Sequence, residues 1–167
     1  MSKVKVTMPE QIIGGLVEKL GRAGSAGFAI GLHLTYTSPR YMLQSYPSAW
    51  SDRYARNGYL VSDPTIHWGL ENRGWVRWAD LAGLDGAGVL AEAAGHGLRY
   101  GVTSAVLARG SRSIASFSRG DRNFTDDEAG DVHLRLGELH DVTLHVHALP
   151  PDLHDLLRRL SIILTQR

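Results

Sequence analysis

The chain contains no cysteine, which excludes a disulfide scaffold and thiolate chemistry, whether in metal ligation or in catalysis. It also lacks an excess of either charge: 18 Lys and Arg stand against 17 Asp and Glu, for a net charge of +1. That balance provides no electrostatic basis for sequence-independent nucleic-acid binding by this chain. No apolar run reaches the ~20 residues of a membrane-spanning helix. The N-terminus has no basic-then-apolar signal pattern. A cytoplasmic protein with no membrane partner is therefore expected. Internal repeats and low-complexity tracts are absent as well. What remains is a chain of 167 residues, 43% hydrophobic and 21% charged, the make-up of one folded domain with a core.

Catalytic signatures are missing too. There is no G-x-S-x-G elbow and no H-E-x-x-H. Gly14-Gly15 and Gly95-His96-Gly97 are too short for phosphate loops. Asp126-Asp127-Glu128 falls in a first helical turn, where acids favour the helix dipole. His133, His140 and His147 recur every seventh residue. Two helical turns separate neighbours by about 10 Å, too far to share an ion with Zn–N bonds of ~2 Å. His145 and His147 point to different faces. The stripe is expected to face solvent or a second subunit, and neither an enzyme nor a metal protein is expected.

Periodicity and caps define the elements. Thr7 and Glu10 form a capping box ahead of Ile12, Ile13, Leu16, Val17 and Leu20 at helical spacing, and Gly21 and Gly24 end that run. Phe28, Ile30, Leu32 and Leu34 alternate with Ala29, Gly31, His33 and Thr35 as a strand, and residues 41–45 read as a second, short one. Pro47 suits the first turn of a helix that stops at Asn57-Gly58. Asp63-Pro64 places an N-cap and N1 proline before a short helix to about Leu70. Trp75–Trp78 is extended, and Val89–Leu98 is a helix weakened by Ala and Gly. Val102–Ala108 and Ser113–Ser118 form a hairpin about Arg109-Gly110. Thr125 and Glu128 cap a long helix with the stripe Val132, Leu136, Leu139 and Val146. After Pro150-Pro151 a last amphipathic helix carries Leu153, Leu156, Leu157, Leu160 and Leu164. The expectation is an α+β fold: a central antiparallel sheet of about five strands sandwiched between helices, α-β-α, PAS/GAF-like. The domain would span 1–149 and a linker helix 150–167.

The segment S-Y-P-S-A-W-S-D-R-Y sets Tyr46, Trp50 and Tyr54 on one helical face. They are either core aromatics or the wall of a cavity. Buried Tyr and Trp need hydrogen-bond partners, and an unmet group costs ~1–3 kcal/mol. A cavity holding carbonyl acceptors would supply them. Asp63 either caps its helix, accepts a ligand N–H through a charge-assisted bond, or does both.

The ordered run Y-P-x-x-W-x-x-x-Y, then Asp63-Pro64, then Trp78, Tyr100-Gly101-Val102-Thr103 and Ser116, resembles the autoinducer-binding domain of LuxR-type quorum-sensing transcription factors over about residues 5 to 160. The resemblance implies a cytoplasmic sensor that binds an N-acyl homoserine lactone and needs no cofactor. In it Trp50 would donate to the lactone carbonyl, Asp63 would accept the amide N–H, and Tyr46 would donate to the amide carbonyl with Ser116 helping. Tyr54 and Trp78 would pack on the head group, and Thr65 would assist at the amide. Phe28, Ile30, Leu32, Val106 and Ile114 either line the acyl tail or are plain core. Leu164-Thr165-Gln166-Arg167 resembles the L-T-x-R that opens the family's helix-turn-helix. The implied partners are a second copy of the chain and, only through a helix-turn-helix domain absent from this chain, DNA. Two further readings remain open: a DNA-binding-deficient module that antagonises full-length regulators, and a PAS- or GAF-like sensor of another small molecule or a small hydrolase.

Overall fold

The structure, a computed structural model, describes residues 8–146 together with 153, 155, 158, 159 and 161–166. Helix α1 (Met8–Ala23) leads into the hairpin β1 (Gly27–Thr35) and β2 (Ser38–Gln44). Helix α2 (Ser48–Arg56), a 3₁₀ turn (Tyr59–Val61) and α3 (Pro64–Glu71) follow. Then come β3 (Gly74–Arg77), a second 3₁₀ turn (Trp78–Leu84) and α4 (Val89–Gly95). The hairpin β4 (Tyr100–Ala108) and β5 (Ser111–Arg119), helix α5 (Asp126–Thr143) and β6 (Ile163–Gln166) complete the described chain.

All described pairings are antiparallel, in one sheet of order β3-β4-β5-β1-β2-β6. Because successive strand residues point to opposite faces, the register divides the sheet's side chains in two. Phe28, Ile30, Leu32, Leu43, Val102, Ala115 and Phe117 meet Ile13, Leu16, Val17 and Leu20 of α1 and Val132, Leu136 and Leu139 of α5 in one apolar core. The capping box predicted at Thr125 and Glu128 is formed in full and starts α5 there. On the opposite face, Trp50, Trp78, Val89, Ala93 and Leu98 make a second, aromatic-rich cluster with Tyr46, Tyr54 and Tyr59. The three-layer α-β-α expectation is met, with one strand more than the five expected.

That extra strand is a correction. The amphipathic helix read through Leu164 does not extend that far, because Leu164 pairs with Leu43 in β6. Ser161, with φ 60°, precedes the strand, and three of the four residues Ile162-Ile163-Leu164-Thr165 are β-branched, which suits a strand. Thr7, Pro150-Pro151, Leu156, Leu157, Leu160 and Arg167 lie outside the described residues, as does His147. The histidine stripe is corrected as well, since it faces the sheet. His140 is fully buried with Nδ1 on Ser113 Oγ at 2.7 Å, and His133 Nδ1 lies 2.7 Å from Ser104 Oγ. Helix α4 ends earlier than read, at Gly95, ahead of Gly97 with φ 89°. Among the described residues no helix is long and apolar enough to cross a membrane, and no cluster of metal-ligating side chains occurs.

Candidate functional site

Helix α2 buries one residue, Trp50, and that indole is the hub of the second cluster. Its ring centroid lies 5.9 Å from Tyr54, 6.0 Å from Tyr59 and 5.3 Å from His96. Tyr54 and Tyr59 meet nearly edge to face, at 84° and 6.0 Å. This arrangement suits the ring quadrupoles and adds about 0.5–1.5 kcal/mol per pair beyond burial. The Tyr59 hydroxyl donates to Glu92 of α4, and Arg53 of α2 pairs with the same carboxylate. One acid thus ties the 3₁₀ turn and both helices together.

Asp63 caps α3 as its spacing from Pro64 predicted. Its Oδ1 accepts from the Thr65 N–H at 2.9 Å and from the Thr65 hydroxyl at 2.7 Å. Its Oδ2 accepts from the Tyr54 hydroxyl at 2.7 Å. Tyr54, expected as a packing surface, is therefore also an anchor for the carboxylate. Burial first, and the Asp63 charge second, push both the Tyr46 and Tyr54 phenols far above their ordinary pKa. Both therefore remain protonated donors throughout the physiological range.

Hydrogen bonds within this cluster run through Tyr54, Tyr59 and Trp78, and among the described residues none involves the Tyr46 hydroxyl or the Trp50 indole N–H. Neither is an orphan, since Asp85 Oδ1 is the one enclosed polar atom without a partner there. Among the described residues, neither donor is therefore committed to a protein acceptor. Ala29 points to the same quarter. It lies on β1 between Ser116 and Gln44, in the middle of the sheet, yet is only partly buried.

Trp78 closes the far side. Its ring lies flat against β4, so a Cβ on Gly101 would fall 2.0 Å from Trp78 Cδ2, which is why a residue without a side chain stands there. The Trp78 indole donates to Thr103 Oγ1 at 3.0 Å, and Thr103 Oγ1 lies 2.7 Å from Ser116 Oγ across the β4–β5 register. Tyr46 packs on β1 in the same manner, with its Cδ1 2.7 Å from where a Gly27 Cβ would stand.

The structure therefore brings Tyr46, Trp50, Tyr54, Asp63, Thr65, Trp78 and Ser116 to one side of the sheet. Four residues were missed: Tyr59, Glu92, His96 and Thr103. Tyr59 follows the Asn57-Gly58 stop directly, and Thr103 sits inside the Tyr100–Thr103 motif, so both were within reach of the pattern. Glu92 and His96 carry no local signal, because only tertiary contact brings them there. The proposed tail-liners Phe28, Ile30, Leu32 and Val106 belong to the opposite face, in the α1/α5 core. Ile114 alone of that group turns to α3, against Gly69.

Comparison with known proteins places the chain in a family. The family model described as "Autoinducer binding domain" matches residues 9–148. The chain is 30% identical over 125 residues to the quorum-sensing regulator RhlR of Pseudomonas aeruginosa, covering 72% of this chain and 52% of RhlR. It is 26% identical over 130 residues to the transcriptional activator VanR of Vibrio anguillarum, covering 74% of this chain and 53% of VanR. It thus spans about half the length of these curated relatives. Among solved structures, CepR2 of Burkholderia cenocepacia superposes with a TM-score of 0.55 at 21% identity, over 83% of this chain and 95% of that one. SdiA in complex with octanoyl-rac-glycerol gives 0.60 at 18% identity, over 93% and 70%. The chain belongs to the autoinducer-binding domain family of LuxR-type quorum-sensing regulators, a family of ligand-binding transcription-regulator domains and not of enzymes.

Proposed function

We propose that the aromatic cluster binds an N-acyl homoserine lactone, and that in a full-length regulator this binding is coupled to dimerisation and to DNA binding. One observation carries the reading: two donors without protein partners among the described residues, the Tyr46 hydroxyl and the Trp50 indole N–H, stand in the same cluster as Tyr54, which holds the Asp63 carboxylate. An acyl homoserine lactone presents the complement, two carbonyls and one amide N–H. Trp50 donates to the lactone carbonyl. Tyr46 donates to the amide carbonyl with Ser116, and Asp63 accepts the amide N–H through the remaining lone pair of Oδ2. Thr65 and Tyr54 hold that carboxylate in place, while Tyr54 and Trp78 offer ring surface to the head group. The acyl tail adds ~0.8 kcal/mol per buried CH₂.

Thermal unfolding with a panel of acyl homoserine lactones tests this, since a ligand bound only by the folded state raises the midpoint. A shift is expected for at least one chain length, and Trp50→Ala and Asp63→Ala should each abolish it. A well-folded domain that no member of the panel stabilises would sink the assignment. A second reading has one observation in its favour. Asp63 already holds three donors, so a ligand without an amide N–H, such as the acylglycerol in the SdiA complex, remains a competitor. Asp63→Asn separates the two: it should weaken a lactone amide strongly and an acylglycerol little.

A further inference from the structure

The chain Trp78–Thr103–Ser116 has a direction, and the direction follows from counting protons. The Trp78 indole nitrogen can only donate, so Thr103 Oγ1 accepts from it at 3.0 Å. Thr103 is fully buried, and among the described residues its hydroxyl has one further neighbour, Ser116 Oγ at 2.7 Å. A buried hydroxyl proton left without an acceptor carries the full desolvation penalty of that group. The Thr103 proton therefore goes to Ser116. Ser116 Oγ is then an acceptor toward Thr103, and its own proton must point away from it. Ser116 is 8% exposed where Thr103 is 0%, so the outward end of the chain is the serine. It lies on the face that carries Trp78, beside Ala29, the partly buried residue of the central strand.

We propose that Thr103 is a positioning residue that fixes Ser116 as a hydrogen-bond donor, so that this point of the sheet wall selects ligands presenting an acceptor oxygen and discriminates against those presenting a donor there. The relay is one-way: indole N–H to threonine hydroxyl, threonine hydroxyl to serine oxygen, serine proton to the ligand. Each bond polarises the next, and the terminal donor is stronger for it. A lone serine has no such bias, because its hydroxyl rotates to donate or accept as the ligand requires. The proposal rests on the ligand reading above for the identity of the acceptor, an acyl carbonyl, but the orientation of the hydroxyls does not depend on it.

The experiment has two arms on the whole chain. In the ligand-free protein, NMR should show slowly exchanging protons for the Trp78 indole N–H and the Thr103 hydroxyl, the latter with a nuclear Overhauser contact to the Ser116 β-protons. Thr103→Val should expose the indole proton to exchange, and Thr103→Ser should restore its protection. A Thr103 hydroxyl proton directed anywhere but Ser116 overturns the relay, with or without a ligand. In the second arm, N-octanoyl homoserine lactone is compared with its thioamide, which keeps shape and N–H but accepts hydrogen bonds more weakly. Wild type should prefer the amide, Thr103→Val should lower that preference at least threefold, and Thr103→Ser should recover it. An unchanged preference in Thr103→Val defeats the selectivity role. If wild type binds neither this pair nor the corresponding pair at any other chain length of the panel, the lactone reading fails while the first arm still decides the relay.

Discussion

The two faces of the sheet are built from the same strands and solve opposite problems. Toward α1 and α5 the strands present Phe28, Ile30, Leu32, Leu43, Val102 and Phe117, large side chains that fill their own space. Toward α2, α3 and α4 the alternate positions are Ala29, Gly31, Gly101, Thr103, Ala105 and Ser116. Small residues there let side chains of the covering elements approach the strands closely, as Trp78 does at Gly101, and the helices supply rings with polar tips in place of aliphatic packing. A close-packed core gains from every methylene; on the proposed ligand face the aromatic cluster takes that role. One face is packed by aliphatic and phenyl side chains, and the other, which carries the proposed ligand site, by polar-tipped rings.

The sharpest way to break this contrast is truncation on each side. Phe117 is fully buried and stacks on Phe28 at 6.0 Å. Phe117→Ala should cost about 3–5 kcal/mol, lowering the melting temperature by roughly 10 °C for a chain of this size. No ligand restores it beyond the shift that wild type gains. Trp50→Ala should cost the free protein less, because the indole packs in the smaller of the two clusters, yet remove the whole ligand-induced shift. Differential scanning calorimetry with and without ligand measures both. Equal losses in the free proteins would erase the distinction between the faces.

Gly101→Ala comes next. A Cβ would meet the Trp78 ring at 2.0 Å, so the indole must leave its place on β4 and give up its bond to Thr103. Overpacking of this kind costs about 1–3 kcal/mol. Tryptophan fluorescence should shift, and ligand affinity should fall by more than the stability loss alone explains. A variant with wild-type fluorescence and affinity would show that Trp78 does not hold the wall.

The elements were largely legible because their signals are local. The Thr125–Glu128 box, the Asp63-Pro64 cap and the period-two runs each act within a few residues. The side of the sheet was not legible in the same way. Phe28, Ile30 and Leu32 could be read as core or as tail-liners because they are apolar either way, and the register settles them as core. His33 shows a second kind of failure. Alternation puts it with Ala29 and Gly31, but its φ of 56° turns the ring to α5, where Nε2 lies 2.9 Å from Thr143 Oγ1 and Nδ1 2.7 Å from Ser111 Oγ. No local pattern announces a left-handed histidine inside a strand. Likewise β6 looked helical because Leu153 to Leu164 fits a helical period, and only pairing with β2 chooses the strand.

That histidine makes the face toward α1 and α5 sensitive to acid. Thr143 Oγ1 donates to Leu139 O, so it accepts the His33 Nε2 proton, and Nδ1 accepts from Ser111. The ring is thus held neutral. Burial foremost, then the charges of His140 and Arg40, lower its pKa from 6.5 to about 4, with Asp141 opposing. The unfolded chain binds that proton first, so the stabilisation is complete above about pH 6.5 and lost as pH falls toward 4. On the order of 1–2 kcal/mol should disappear across that window. His33→Asn, which tolerates the left-handed backbone, should flatten the curve measured by urea unfolding at stepped pH. An unchanged slope would move the acid sensitivity to another group.

The smallest expected effect falls on the latch that closes the ligand face. Glu92 accepts from Tyr59 and pairs with Arg53, and both Arg53 and Glu92 keep solvent contact, with 48% and 25% of their side chains exposed. Exposed pairs of this sort contribute about 0–1 kcal/mol. Glu92→Gln keeps the shape and an acceptor for Tyr59 but removes the charge that Arg53 meets. Stability should change by less than 1 kcal/mol. Ligand dissociation should nevertheless quicken, because α2, the Tyr59 turn and α4 are joined at this carboxylate and bury few apolar residues of their own: Trp50 in α2, none in the turn, and Val89 and Ala93 in α4. Stopped-flow competition gives that rate. Wild-type dissociation in Glu92→Gln would mean that the aromatic stacking of Trp50, Tyr54 and Tyr59 holds this face shut without the latch.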